Sequence, residues 1–170
     1  MINRYSSRRE ELDSSFICQR LKGAQSYDRI AGYFRSSMLE VAGEELTSIS
    51  GKIRIVCNSD IQLKDVETAK TAQQAMQRSW CAGKPENLGE NSKHRFNLLC
   101  DLLSSKKLEV KILPDEVFGL IHGKAGIITY PDGRKTCFMG STNESLSAWR
   151  LNYEMVWEDS SKEGIEWVQE

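Results

Sequence analysis

Proline and histidine are scarce in this chain: its 170 residues hold three prolines and two histidines. Few prolines leave long stretches free to form helix or sheet. Two histidines leave very few groups able to exchange protons near neutral pH. No run approaches the ~20 apolar residues of a membrane-spanning helix. The opening residues, MINRYSSRREELDSS, are charged where a secretory leader is apolar. These absences predict a cytoplasmic protein with no membrane partner. The five cysteines (Cys18, Cys57, Cys81, Cys100, Cys137) are odd in number and form no CxxC pair, which argues against a disulfide framework and against a zinc site. No metal or cofactor is expected.

Net charge is lacking too. Lys+Arg number 23 against 24 Asp+Glu, a formal charge of −1, so the chain is no blanket polycation and any nucleic-acid contact must be local. The distribution is uneven. Residues 1–35 carry Arg4, Arg8, Arg9, Arg20, Lys22, Arg29 and Arg35 against four acids, whereas residues 154–170 carry six acids and only Lys162. Arg35 and the basic N-terminal residues are expected to form a solvated face. Apolar residues make up 39% of the chain, enough for the core of one domain.

No repeat, low-complexity tract or linker divides residues 1–170, so a single domain is expected. Ser26 to Phe34 mixes aromatic and β-branched residues and reads as a strand. Ser37-x-x-Glu40 then has the form of a capping box, opening a helix with a stripe of Leu39, Ala42, Leu46 and Ile49. Gly51 ends that helix, and Lys52 to Asn58 alternates Ile53, Ile55 and Cys57 inward. The segment reads as βαβ. Further helices are predicted from about Lys64 to Trp80 and from Ser92 to Ser104, separated by a Gly- and Pro-containing loop. Strands follow at Glu109–Leu113, Leu120–Tyr130, Lys135–Met139 and Asn152–Glu158, with a turn at Pro131-Asp132-Gly133. Lys162 to Glu170 reads as a helix that stops without a cap, as in a fragment of a longer chain. The expected class is α/β, a mixed sheet flanked by helices on both faces.

Chemistry concentrates in the second half. His122 and Lys124 stand two apart on a predicted strand, so both side chains should project from one face. An imidazole and a fixed cation would then share a site. Beyond the turn, Gly140 lets backbone approach closely while Ser141 and Asn143 offer hydrogen-bond donors, and eleven residues after Asn143 comes Glu154. His94, between Lys93 and Arg95, is expected to be an ordinary polar helix residue. Gly119 to Lys124 has a P-loop flavour, but its glycine spacing is one residue short and Ala125 replaces the Ser/Thr. Cys57, Cys100 and Cys137 sit among apolar neighbours and are expected in the core, and Trp80, Trp149, Trp157 and Trp167 in core or interface packing.

His122-x-Lys124, then Gly140-Ser141-x-Asn143, then Glu154 resembles the HKD motif of the phospholipase D superfamily, H-x-K-x4-D, G-S-x-N and a later Glu. One position departs: Thr129 stands where the family pattern has Asp. The resemblance implies a phospholipase D-like sandwich and a metal-independent phosphodiesterase working through a covalent phosphohistidine. His122 would be the nucleophile, Lys124, Ser141 and Asn143 would hold the phosphoryl oxygens, and Glu154 would orient an imidazole. Family members use two motif copies. This chain has one, so a homodimer with one site shared by two protomers is implied. The small single-motif form resembles the bacterial nuclease branch and implies DNA, or RNA, as substrate. Gly32-Tyr33-Phe34-Arg35-Ser36 further resembles nuclease-like domains fused to or associated with helicases and restriction-type defence proteins. Two other readings use the same residues: phospholipid hydrolysis or phosphatidyl transfer, and a catalytically decayed nucleic-acid-binding module of a helicase.

Overall fold

A computed structural model describes residues 2–35, 37–59, 90–114, 119 and 121–170. Seven strands make one mixed sheet: β1 (Ile2–Ser6), β2 (Ser26–Ile30), β3 (Ile53–Ser59), β4 (Leu108–Pro114), β5 (Lys124–Thr129), β6 (Lys135–Gly140) and β7 (Met155–Asp159). Their spatial order is β1-β7-β6-β5-β2-β3-β4. β2, β3 and β4 run parallel, and every other neighbouring pair is antiparallel. The predicted βαβ unit is present as β2, α2 (Met38–Ser48) and β3. A parallel pair needs such a crossover to bring the chain back to the same edge.

Period-2 alternation sends Tyr27, Ile53, Ile55, Cys57, Val110, Ile128, Phe138 and Val156 into one buried layer. Covering it are a π-helical turn (Asp13–Ile17) that continues into α1 (Cys18–Leu21), then α2, and α3 (Glu90–Ser104) packed against α2. α4 (Lys162–Gln169) packs on β5 and β6. Its Val168 and Gln169 border the same cavity as Ser26, Asp28, Ile127 and Thr129, which alternate with the core residues of their strands, so helices cover both faces. Phe16 anchors the core, stacked near Trp149 and edge-on to Phe138 at a 5.2 Å centroid distance. Gly126 makes room for Phe138, since a Cβ there would lie 2.6 Å from the ring.

Several expectations need correction. β1 and the Asp13–Ile17 turn, to which the sequence reading assigned no element, pair with β7 and seal the core respectively. Ser37 does not cap α2: it has helical backbone angles, and its Oγ accepts from the Leu146 N–H at 3.2 Å. The strand predicted to reach Phe34 stops at Ile30. α4 is properly opened, Ser161 Oγ accepting from the Gly164 N–H. Trp149, Cys57 and Cys137 are buried as expected, and Cys100 is half-buried. Of the tryptophans expected in core or interface packing, Trp157 and Trp167 are exposed and so outside the core, with the Arg4 guanidinium over the Trp157 ring. The basic N-terminal face is only partly solvated, because Arg20 pairs with Glu158 and Arg29 is buried against Glu144. The helix predicted over Lys64–Trp80, with Trp80 and Cys81, lies outside the described residues.

The buried Glu158 ties both chain ends to the sheet. It takes a two-pronged bond from Arg20 and further bonds from Tyr5 Oη at 2.9 Å, Asn3 Nδ2 and Thr136 Oγ1. Burial pushes this carboxyl's pKa up, but the bonds from Arg20, Asn3 and Tyr5 outweigh burial and hold it below the usual glutamate range. A depressed folded-state pKa contributes stability that is complete above the unfolded glutamate pKa of about 4.3 and lost as pH falls through the folded value. The melting temperature should therefore decline on acidification below about pH 4, and Glu158→Gln should lower stability at neutral pH while flattening that acid limb. Equal acid slopes in the two proteins would contradict this assignment.

Candidate functional site

Three strand ends and two loops meet at one end of the sheet. Lys124 opens β5 and pairs in register with Gly140, the last residue of β6, which in turn faces Val156 near the start of β7. Gly140 has no room for a side chain, since a Cβ would drive into the Met155 carbonyl. This close approach lets Ser141 settle beside Glu154. Ser141 Oγ donates to Glu154 Oε2 and accepts from the Met155 N–H at 3.1 Å. Glu154 is buried, its Oε1 also accepts from Asn152 Nδ2 at 3.3 Å, and its backbone is clasped in both directions by Ser7.

Asn143 meets the end of β2. Its Oδ1 accepts from the Gly32 N–H at 2.8 Å and the Tyr33 N–H at 3.4 Å. Two N–H donors at Oδ1 orient the amide, so Nδ2 and its two hydrogens face away from this backbone. Lys124 reaches the same point: a Cβ on Gly32 would lie 2.9 Å from Asn143 Oδ1 and 3.6 Å from Lys124 Nζ. Gly32→Ala should consequently displace Asn143 or Lys124 and lower turnover by roughly 10²-fold, the scale of a hydrogen-bond donor lost from a charge-stabilising site, with little change in melting temperature. Unaltered turnover in the Gly32→Ala variant would remove Gly32 from the site.

The loop bearing Asn143 rests on a buried ion pair. Arg29 Nε donates to Glu144 Oε1 at 2.7 Å, both side chains being wholly inaccessible, and Arg29 Nη2 donates to the Thr142 carbonyl and Oγ1. Tyr27 Oη adds a bond to Glu144 Oε1, and burial together with that carboxylate pushes the Tyr27 phenol well above its ordinary pKa. The Glu144 backbone brackets the Tyr33 carbonyl and the Arg35 N–H. On the other side Asn58, at the end of β3, donates from Nδ2 to the Ile121 carbonyl and accepts the Ile121 N–H, both at 2.9 Å. Asn58 thereby fixes the stem of the residue that follows, His122.

His122 and Glu154 are not strand residues, contrary to the sequence reading: β5 begins at Lys124 and β7 at Met155. Ile121 spends its backbone N–H and carbonyl on the Asn58 amide instead of on a neighbouring strand. Pleat alternation therefore does not govern the relation between His122 and Lys124. What links them is a bond from Lys124 Nζ to the His122 carbonyl at 2.6 Å, leaving two ammonium hydrogens for a ligand. The His122 side chain is exposed, and among the described residues its ring bonds to neither Glu154 nor any other group. The Ser141 hydroxyl hydrogen goes to the Glu154 carboxylate. Thr129 lies at the far end of β5, paired with Ser26 and Lys135. At ~3.3 Å per strand residue it is remote from Lys124, so its departure from the motif touches none of these groups. His94 is exposed on α3. Sequence reasoning did not single out Asn58, Arg29 or Glu144, and it named Gly32 only within the Gly32–Ser36 resemblance; the glycine just after β2 and the asparagine near the end of β3 were the local hints.

A mixed sheet between helix layers, with a lysine, an oriented amide and an exposed imidazole gathered at one end, defines an α/β protein whose polar site suits an anion. The family model described as "Cardiolipin synthase, PLD-like domain" matches residues 17–170, and the chain belongs to this phospholipase D-like family. Its fold is similar to that of NucT from Helicobacter pylori, at 15% identity and a TM-score of 0.52, covering 99% of this chain and 91% of that one. It is likewise similar to yeast tyrosyl-DNA phosphodiesterase in its H432N mutant, at 13% identity and a TM-score of 0.53 over 94% of this chain, which spans 32% of that longer protein. No curated protein matches the sequence.

Proposed function

We propose that this protein is a phosphodiesterase acting on nucleic acid, DNA first, without a metal, through a site completed by a second copy of the chain. The observation that carries the reading is the convergence of Lys124 Nζ and the Asn143 amide on the Gly32 backbone, with His122 exposed one short loop away. A fixed cation and aimed donors stabilise the charge that builds on phosphoryl oxygens. The chemistry needs a nucleophile and an acid, and a single His122 cannot be both at once. In a two-fold dimer it need not be.

An imidazole nitrogen of His122 attacks phosphorus, the N–P bond forms, and the P–O bond to the leaving group breaks as His122 of the partner subunit gives that oxygen a proton. A water then attacks the phosphohistidine, surrendering a proton to the partner's His122, and the N–P bond breaks to release a phosphomonoester. Lys124 and Asn143 hold the non-bridging oxygens throughout. Glu154, set by Ser141 and Asn152, accepts from an imidazole N–H of the assembled site. The likeness in fold to a protein titled tyrosyl-DNA phosphodiesterase supports nucleic acid as the substrate class, and the family description, cardiolipin synthase, supports phospholipid as the second reading. Among the described residues, no helix is long and apolar enough to cross a membrane. Association with a helicase is part of the proposal on the Gly32–Ser36 resemblance alone.

Incubation with single-stranded DNA and with phospholipid vesicles, in excess EDTA, tests the reading. Cleavage of DNA that survives chelation is expected, because every catalytic group proposed is a side chain. Activity that vanishes in EDTA and returns with Mg²⁺ would overturn the mechanism. Turnover of vesicles with intact DNA would make the lipid chemistry primary, and intact DNA that stays bound would mark a decayed binding module.

A further inference from the structure

Tyr33 is an aromatic residue in an unusual place. It follows the glycine that receives Asn143, its own N–H contributes to Asn143 Oδ1, and its carbonyl accepts the Glu144 N–H at 3.4 Å. Its backbone is thus held on both sides by the site loop. The residue is nevertheless 37% exposed, whereas its neighbours Ala31 and Phe34 are buried. Burial of a large ring is normally favourable, and this one is kept in solvent by a rigid support. Arg35 sits with its guanidinium 5.3 Å from the Tyr33 ring centroid, and among the described residues no carboxylate pairs with it. Its own backbone N–H is fixed on the Glu144 carbonyl at 2.9 Å.

A flat apolar surface with an unneutralised cation against it, beside a lysine and an oriented amide, is complementary to a flat ligand that carries negative charge next to its ring. We infer that Tyr33 and Arg35 form a subsite for a nucleotide flanking the phosphodiester held by Lys124 and Asn143, with the base stacking on the Tyr33 ring and Arg35 meeting the adjoining phosphate. Stacking on an aromatic side chain tolerates any base, because every base has a π-face. The subsite therefore confers a requirement for a base without reading its identity. This inference rests on the nucleic-acid reading above and adds to it the element that distinguishes a polynucleotide from a bare phosphodiester.

The test is equilibrium binding of two single-stranded oligomers of equal length and charge, one of thymidines and one of abasic tetrahydrofuran units. His122→Ala serves as the background so that nothing is cleaved. Base–aromatic stacking predicts that the thymidine oligomer binds tighter by about 5- to 10-fold. Tyr33→Ala should abolish that preference, Tyr33→Trp should keep it, and Arg35→Ala should weaken both oligomers and reduce the salt dependence of binding. Circular dichroism and melting temperature confirm that each variant is folded. An unchanged preference in Tyr33→Ala would overturn the subsite and leave the nuclease reading standing. Cleavage of bis(p-nitrophenyl) phosphate by wild type, with no binding of either oligomer, would overturn the subsite and the nucleic-acid substrate together while keeping the phosphodiester chemistry. A Tyr33→Ala protein that keeps its base preference but changes its mass in solution would reassign the ring to contact between copies of the chain.

Discussion

Replacing His122 with alanine should lower phosphodiester cleavage by ~10⁴-fold or more if, as proposed, nucleophile and general acid are the same residue in the two halves of a shared site, since acid–base catalysis alone contributes ~10²–10⁴. The decisive form of the experiment mixes chains. If each site draws His122 from both protomers, a dimer of one wild-type and one His122→Ala chain has no complete site. Random pairing of equal amounts of the two chains makes roughly one quarter of the dimers wholly wild type. Activity should fall to about a quarter of the all-wild-type value. Co-expression or co-refolding is needed, since a tight dimer exchanges subunits slowly. A value near one half would show that each protomer works alone, and a single exposed imidazole would then have to act as nucleophile and acid in turn.

The second large effect concerns stability. Arg29→Met leaves Glu144 wholly buried without its cation, and Glu144→Gln leaves the buried guanidinium without its carboxylate. Breaking a buried pair from one side costs about 3–5 kcal/mol. Arg29 also holds the Thr142 carbonyl, and its guanidinium lies 4.8 Å from the Phe138 ring centroid, so the arginine variant should fall at the upper end. Urea unfolding of both single variants and the double should show the double less destabilised than the sum of the singles, because with both charges removed no orphaned charge stays buried. Turnover should behave otherwise. The pair positions the Ser141–Glu144 loop, so a stable double variant should still have lost most of its activity. Additive stability losses would show that Arg29 and Glu144 act independently.

The regular parts of this fold were legible in local sequence. KIRIVCN could only bury Ile53, Ile55 and Cys57 together as a strand, and Pro131-Asp132-Gly133 between two apolar runs could hardly be anything but a hairpin turn; Gly133 has a φ of +84° there and its N–H donates to the Tyr130 carbonyl. Local signals failed where a distant group claimed the atoms they needed. Ser37 has the spelling of a helix cap, but its hydroxyl is taken by the Leu146 N–H from 109 residues away. β1 is short and mixed in polarity and became a strand because β7 offered it an unpaired edge.

The candidate site divides along the same line. The order and spacing of His122, Lys124, Ser141, Asn143 and Glu154 were determined by the sequence, as was their chemistry, since a residue's type and its distance along the chain from a strand or turn are local properties. The meeting of Lys124 with Asn143 at Gly32, the commitment of Ser141 to Glu154, the pinning of the His122 stem by Asn58, and the Arg29–Glu144 pair were decided by the tertiary structure alone. Each joins two strands or loops whose adjacency follows from sheet order. That order comes from which apolar faces bury best together, a sum over the whole core and not a property of any stretch of sequence.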